Sequence, residues 1–166
     1  MKILLSIVLL CQSLIVFSQN TSQYDNIRLT NANEYRKAEP QVILAADYVY
    51  STPVDKDNLN RKNAVTFIMK WMGGNPDYSF VPDKTAAKIM NNDMELLGVY
   101  YTCLAKYALE KGKTVNREEL KYNAYLLVAV YCENPANNYI PKGETKKLIE
   151  AKNQNKLKEY LEAKSK

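Results

Sequence analysis

Residues 83–111, DKTAAKIMNNDMELLGVYYTCLAKYALEK, decide the fold class. Ala87, Met90, Met94, Leu97, Tyr101, Leu104 and Ala108 recur at spacings of three and four, which places them on one helical face. Ala86, Ile89, Leu96, Tyr100, Cys103 and Tyr107 form a second stripe beside the first. Two adjacent apolar stripes describe a helix buried around most of its girth. Asn91-Asn92-Asp93 is a point where the region can break in two, since Asn92 followed by Glu95 has the capping-box spacing. Gly98 costs a helix about 1 kcal/mol and marks a place for a close helix crossing.

Helical periodicity extends outward on both sides. A first helix is expected over about 40–51, with Val42, Ala45, Ala46, Val49 and Tyr50 inward and Pro53 beyond its end. A second is expected over about 57–72, stopped by Gly73-Gly74, a left-handed C-cap signal. Asn116 with Glu119 opens another at about 116–132, and its apolar run from Ala124 to Cys132 makes it central. The last, about 144–164, is amphipathic, with Leu148, Ile149, Leu157, Tyr160 and Leu161 inward and lysines outward. No stretch alternates with period two between hairpin turns. The expectation is an all-α fold of five to six helices, a compact bundle or short α-α repeat array.

Comparing the chain with itself at a shift of about 59 residues reveals a repeat. Asn75-Pro76, three residues, then Phe80-Val81-Pro82 reappears as Asn134-Pro135, three residues, then Tyr139-Ile140-Pro141. Ala46 and Tyr48 match Ala105 and Tyr107, and Lys88-Ile89-Met90 matches Lys147-Leu148-Ile149. Leu59 matches Leu120 at a shift of 61, a small drift across the helix–helix connection. The unit is a helix pair followed by an extended Asn-Pro…Pro segment, because each proline holds the residue before it extended. The reading predicts two duplicated units, about 38–82 and 93–141, followed by the helix at 144–164. Each loop follows the second helix of its unit, so both are expected at the same end of the stack.

Met1-Lys2, the apolar run Ile3 to Phe17 and the small residue Ser18 have the three parts of a secretory signal. The run is shorter than the ~20 residues of a transmembrane helix. The expected organisation is a signal peptide at 1–18, a flexible polar leader at 19–37 and one helical domain at 38–166. The mature chain is expected to carry no membrane span and to be periplasmic or extracellular. After cleavage it holds 22 basic and 18 acidic residues, and the excess lies within 142–166, which has eight lysines and four glutamates. That segment reads as a solvated amphipathic helix rather than a nucleic-acid site.

The chain has no histidine, which removes Ser-His and Cys-His nucleophilic sites and most zinc sites. No phosphate-binding glycine loop, calcium loop or haem attachment sequence occurs, so no cofactor or metal is expected. Carboxylate-dependent hydrolysis is the surviving enzyme class, since it needs only two acids. Glu118 and Glu119 are adjacent on a helix and point apart, so they read as first-turn dipole charges. Asp93 and Glu95 read as cap residues. Trp71, Tyr78, Phe80 and Tyr139 are the candidate binding residues, with closure of the helix ends as the other reading of the same side chains. Cys103 and Cys132 are expected to be free and buried. In a helix hairpin turning near residue 114, Cys103 lies level with about residue 125. Cys132 is then ~10 Å further along the axis, beyond the ~7 Å that a disulfide spans.

The expected function is non-enzymatic: an exported helical module that binds another protein or an envelope component. The alternatives are a small carboxylate-dependent hydrolase and a structural or stress-protective envelope protein. Mass spectrometry of the exported protein should show loss of residues 1–18, whereas an intact Met1 or a lipidated Cys11 contradicts the signal reading.

Overall fold

In a computed structural model of the chain, residues 22–165 are described; the expected signal peptide lies outside them. The elements are α1 (Ala32–Ser51), α2 (Leu59–Gly74), α3 (Lys84–Ile89), α4 (Met94–Lys111), α5 (Arg117–Glu133), a 3-10 turn (Pro135–Asn137), α6 (Gly143–Asn153) and α7 (Leu157–Ser165). The described residues are all-helical and packed around one core, with no strand among them. No helix among them is long and apolar enough to cross a membrane.

Among the described residues seven helices replace the expected five to six, because two regions break. Asp93 caps α4, its carboxylate accepting from the Glu95 and Leu96 amides, so the cap falls one residue after Asn92. Asn91 and Asn92 adopt left-handed backbone (φ 54° and 56°), which amide side chains tolerate better than most. The expected helix at 144–164 ends at Asn153. Asn155 is left-handed (φ 57°) and the Lys156 amide reaches back to the Ala151 carbonyl, a Schellman turn.

The polar leader is also corrected. α1 begins at Ala32, eight residues before Pro40, which lies inside the helix. Asn31 caps it by accepting from the Asn33 and Glu34 amides, and Glu34 reaches back to the Thr30 amide and hydroxyl. Pro40 has no N–H for the Arg36 carbonyl; one residue earlier, the Tyr35 carbonyl accepts from the Trp71 indole at 3.0 Å. Before the helix, Tyr24 stacks on Phe67 at 4.6 Å, and Ile27 and Leu29 pack against the core.

α2 runs through Gly73 and Gly74 and stops at Asn75, extended because Pro76 follows. Neither glycine is left-handed, so the expected glycine cap is not used. Gly74 is small for another reason: a Cβ there would sit 1.8 Å from the Tyr35 hydroxyl. At Gly98 a Cβ would lie 3.1 Å from Val65, which marks the close approach of α4 to α2.

α4 runs parallel to α2, with Glu95 beside Arg61 and Gly98 beside Val65. It runs antiparallel to α5, with Tyr100 against Tyr125 and the Tyr107 hydroxyl on Glu119. The segment from Asn75 through α3 therefore crosses the length of the bundle before α4 begins.

α6 starts at Gly143 with Lys142 as its cap residue, and lysine has no acceptor to offer. Asn91 substitutes from across the fold. Its Oδ1 accepts from the Glu144 amide, and its Nδ2 donates to the Lys142 carbonyl and the Thr145 hydroxyl. Asn91→Ala is expected to destabilise the protein by about 1–2 kcal/mol, the value of a helix N-cap. Circular-dichroism melting should show a drop of several degrees, and an unchanged melting temperature contradicts the cap assignment.

Candidate functional site

The four candidate aromatics do not form one surface. Trp71 is fully buried, and the rings of Tyr78 and Phe80 lie 5.7 and 5.9 Å from its own. Together they close the end of the bundle where α1 starts. The loop is held there by Asp77, which receives Nε and Nη2 of Arg36 and also pairs with Lys113 in the α4–α5 turn. Tyr139 lies elsewhere, its hydroxyl on Thr145 at 3.3 Å. Its loop is tied to the α1–α2 turn, where the Val54 amide donates to the Asn137 carbonyl and the Tyr131 hydroxyl to the Thr52 carbonyl. The loops at 73–82 and 133–141 thus sit at opposite ends, not the same end. The crossing segment after Asn75 turns the second helix pair upside down relative to the first.

In both loops the aromatic residue turns inward and the β-branched residue after it turns outward. Phe80 and Tyr139 are half-buried, whereas Val81 is 48% and Ile140 84% exposed. Beside the first loop, Met69 is 47% exposed. Met69, Met72, Phe80, Val81, Pro82 and Tyr101 line an apolar groove of about 180 Å³. Sequence reasoning missed Met69 and Val81. Only the outward register of Met69 on α2 signals them, and that depends on where the helix faces.

A cleft of about 760 Å³ lies between the start of α5 and α7. Thr85, Lys121, Tyr122, Tyr125 and Leu161 line it, with Glu118, Glu119 and Glu162 exposed at its edge. Asp83 lies beneath. Its Oδ1 caps α3 by accepting from the Thr85 and Ala86 amides, and its Oδ2 accepts from the hydroxyls of Tyr100 and Tyr125 and pairs with Lys121 at 3.1 Å. Burial opposes ionisation of Asp83, but the Lys121 ammonium and the two hydroxyls outweigh it and hold the carboxyl below its ordinary range. Burial pushes both tyrosines up, so they remain proton donors to it. A carboxylate with both oxygens engaged has no lone pair placed to take a substrate proton. The sequence pattern gave this cluster away only as apolar stripe positions, since Tyr100 and Tyr125 fit a core equally well.

Asp93 and Glu118 act as a helix cap and a first-turn charge, and Glu95 faces Arg61 at 3.7 Å. Cys103 and Cys132 are buried and unbonded, and burial raises both thiols, Cys132 to about 12, where the reactive thiolate is scarce. Among the described residues no three His, Cys, Asp or Glu side chains gather as metal ligands. Comparison with known protein families, with characterised proteins and with solved structures gives no match.

Among the described residues five carboxyls lie below their ordinary values: Glu34, Asp77, Asp83, Glu133 and Glu144. Asp77 is held at about 2 by hydrogen bonds from Arg36 and Lys113, Glu144 at about 2 by Lys147 and Lys164, and Asp83 is lowered as described. A carboxyl depressed by folding stabilises the protein above its unfolded pKa, and that contribution is lost as pH falls through the folded value. The melting temperature should therefore hold through mildly acidic pH and fall as pH drops from about 4.5 towards 2. Asp83→Asn should melt lower than the parent at neutral pH and lose less of its stability over that acid range. Identical acid dependence of the two proteins contradicts the role given to Asp83.

Proposed function

We propose that the protein is an exported helical module that acts by binding another protein or an envelope component, through the apolar groove beside residues 73–82. The observation that carries this is the exposure of Met69 and Val81 side by side over Phe80, an apolar surface that core packing does not require. Trp71 and Tyr78 support the groove from beneath, and the Arg36–Asp77–Lys113 ion group fixes the loop before any partner arrives. A preset loop lowers the ordering cost of association. The hydrolase reading is weaker, because the buried acid Asp83 is saturated by its own fold. The signal at 1–18 supports a site of action outside the cytoplasm.

The two helix pairs are, in this proposal, copies related by an approximate two-fold rotation. Asp47 and Lys106, equivalent at a shift of 59, pair with each other, as residues beside such an axis would. Asn75 and Asn134 end their helices with near-identical extended backbone. The copies differ in use, since the groove accompanies only the first loop.

Met69→Asp with Val81→Asp should lower stability only modestly, by about 1 kcal/mol, because each side chain is already about half exposed. The same variant should lose the partners that the tagged parent captures from its native envelope fraction. Tyr78→Ala with Tyr139→Ala should instead lower the melting temperature, because both rings are half-buried against the core. A Met69/Val81 variant that keeps the parent's partners ends the proposal for this groove.

A further inference from the structure

A second surface has different chemistry. Between the first described residues and the α1–α2 pair lies a cavity of about 430 Å³, lined by Ser22, Gln23, Tyr24, Tyr48, Asn60 and Asn63. None of the six carries charge at neutral pH and none is purely aliphatic. Four are amides or hydroxyls and two are phenols. The volume falls within the range of small-ligand sites, ~300–1,000 Å³.

The walls are set in advance. Tyr24 lies flat on Phe67, with ring planes 5° apart, and its hydroxyl accepts from the Gln23 amide at 2.8 Å. The Tyr48 hydroxyl reaches Asn58 at 3.4 Å. Asn60 and Asn63 are three residues apart on α2, so their amides stand one above the other on one face. Neither amide side chain makes a hydrogen bond among the described residues. Asparagine gains nothing as a helix former, so α2 has no local reason for two of them at this spacing.

We propose that this cavity binds a neutral glycan. Each sugar hydroxyl both donates and accepts, and each asparagine or glutamine amide offers both partners. The apolar C–H face of a sugar ring fits against a phenol ring, while a charged ligand would find no counter-charge in the lining. The site is separate from the Met69–Val81 groove, and either can fail alone. The glycan can come from the cell-wall backbone or from a storage-type polysaccharide; both present neutral pyranose rings.

The test is isothermal titration of the purified protein with chitotetraose and, separately, maltotetraose, on the parent and on Asn60→Ala/Asn63→Ala. Both asparagines reach solvent, and a melting curve of the variant checks that it folds as the parent does. The expected result is saturable binding of at least one oligosaccharide, weakened about tenfold or more in the variant. The affinity should also be the same at low and high salt, because no ion pair contributes. Chitotetraose alone binding points to the cell-wall backbone, and maltotetraose alone to the other source. The proposal is overturned if neither sugar binds, if the folded variant binds as well as the parent, or if affinity falls steeply with salt.

Discussion

The guanidinium of Arg61 lies at the junction of α1, α2, α4 and α5, and the relative placement of those helices depends on it. It is fully buried in the first turn of α2. Nη1 donates to the Val49 and Thr52 carbonyls and to the Thr52 hydroxyl, which close the C-terminus of α1. That helix has no basic residue in its own last turn, so α2 supplies the positive charge that its terminal carbonyls attract. Glu95 at 3.7 Å brings in the first turn of α4, and the Tyr131 ring, 5.9 Å from the guanidinium carbon, brings in α5. Nε and Nη2 are buried without a hydrogen-bond partner, so the charge is balanced by the carbonyls at the end of α1, the Thr52 hydroxyl and the nearby Glu95 carboxylate, and these contacts tie those helix ends together.

The inverted second pair follows from that junction. If the start of α4 must reach Arg61, the chain leaving α2 at the opposite end has to travel back along the bundle first. Residues 75–93 make that journey, with Asp83 anchoring its middle on Tyr100, Tyr125 and Lys121. The two aromatic loops are thereby parted. The first lies along the bundle beside α2 and α4 and forms a groove with Met69 and Tyr101, while the second folds over the α1–α2 turn. The same sequence motif thus acquires two surroundings.

The helical class, the burial of 83–111 around most of its girth and the caps at Asn116 and near Asp93 were all legible in the sequence, because periodicity and cap chemistry are local. The start of α1 was hidden by Pro40, which is helix-breaking unless tertiary contacts hold the preceding turns; here Asn31 and Trp71 hold them. The break at Asn155 was hidden because a left-handed asparagine leaves the amphipathic pattern on both sides intact. Arg61 reads as an ordinary charged helix residue, and nothing local distinguishes it from Lys62. Trp71, Tyr78 and Phe80 were readable as a cluster. The exposed partners Met69 and Val81 were not, because exposure is decided by where the helix faces in the assembled bundle.

The central claim is that the protein binds through a surface its fold leaves free. Hydrogen–deuterium exchange of the purified protein, alone and with a captured partner, tests it most directly. The account predicts added protection confined to the last turns of α2, the loop at 76–82 and the facing turn of α4 around Tyr101. Protection that falls instead on α6 and α7, or that rises evenly across the core, would contradict it.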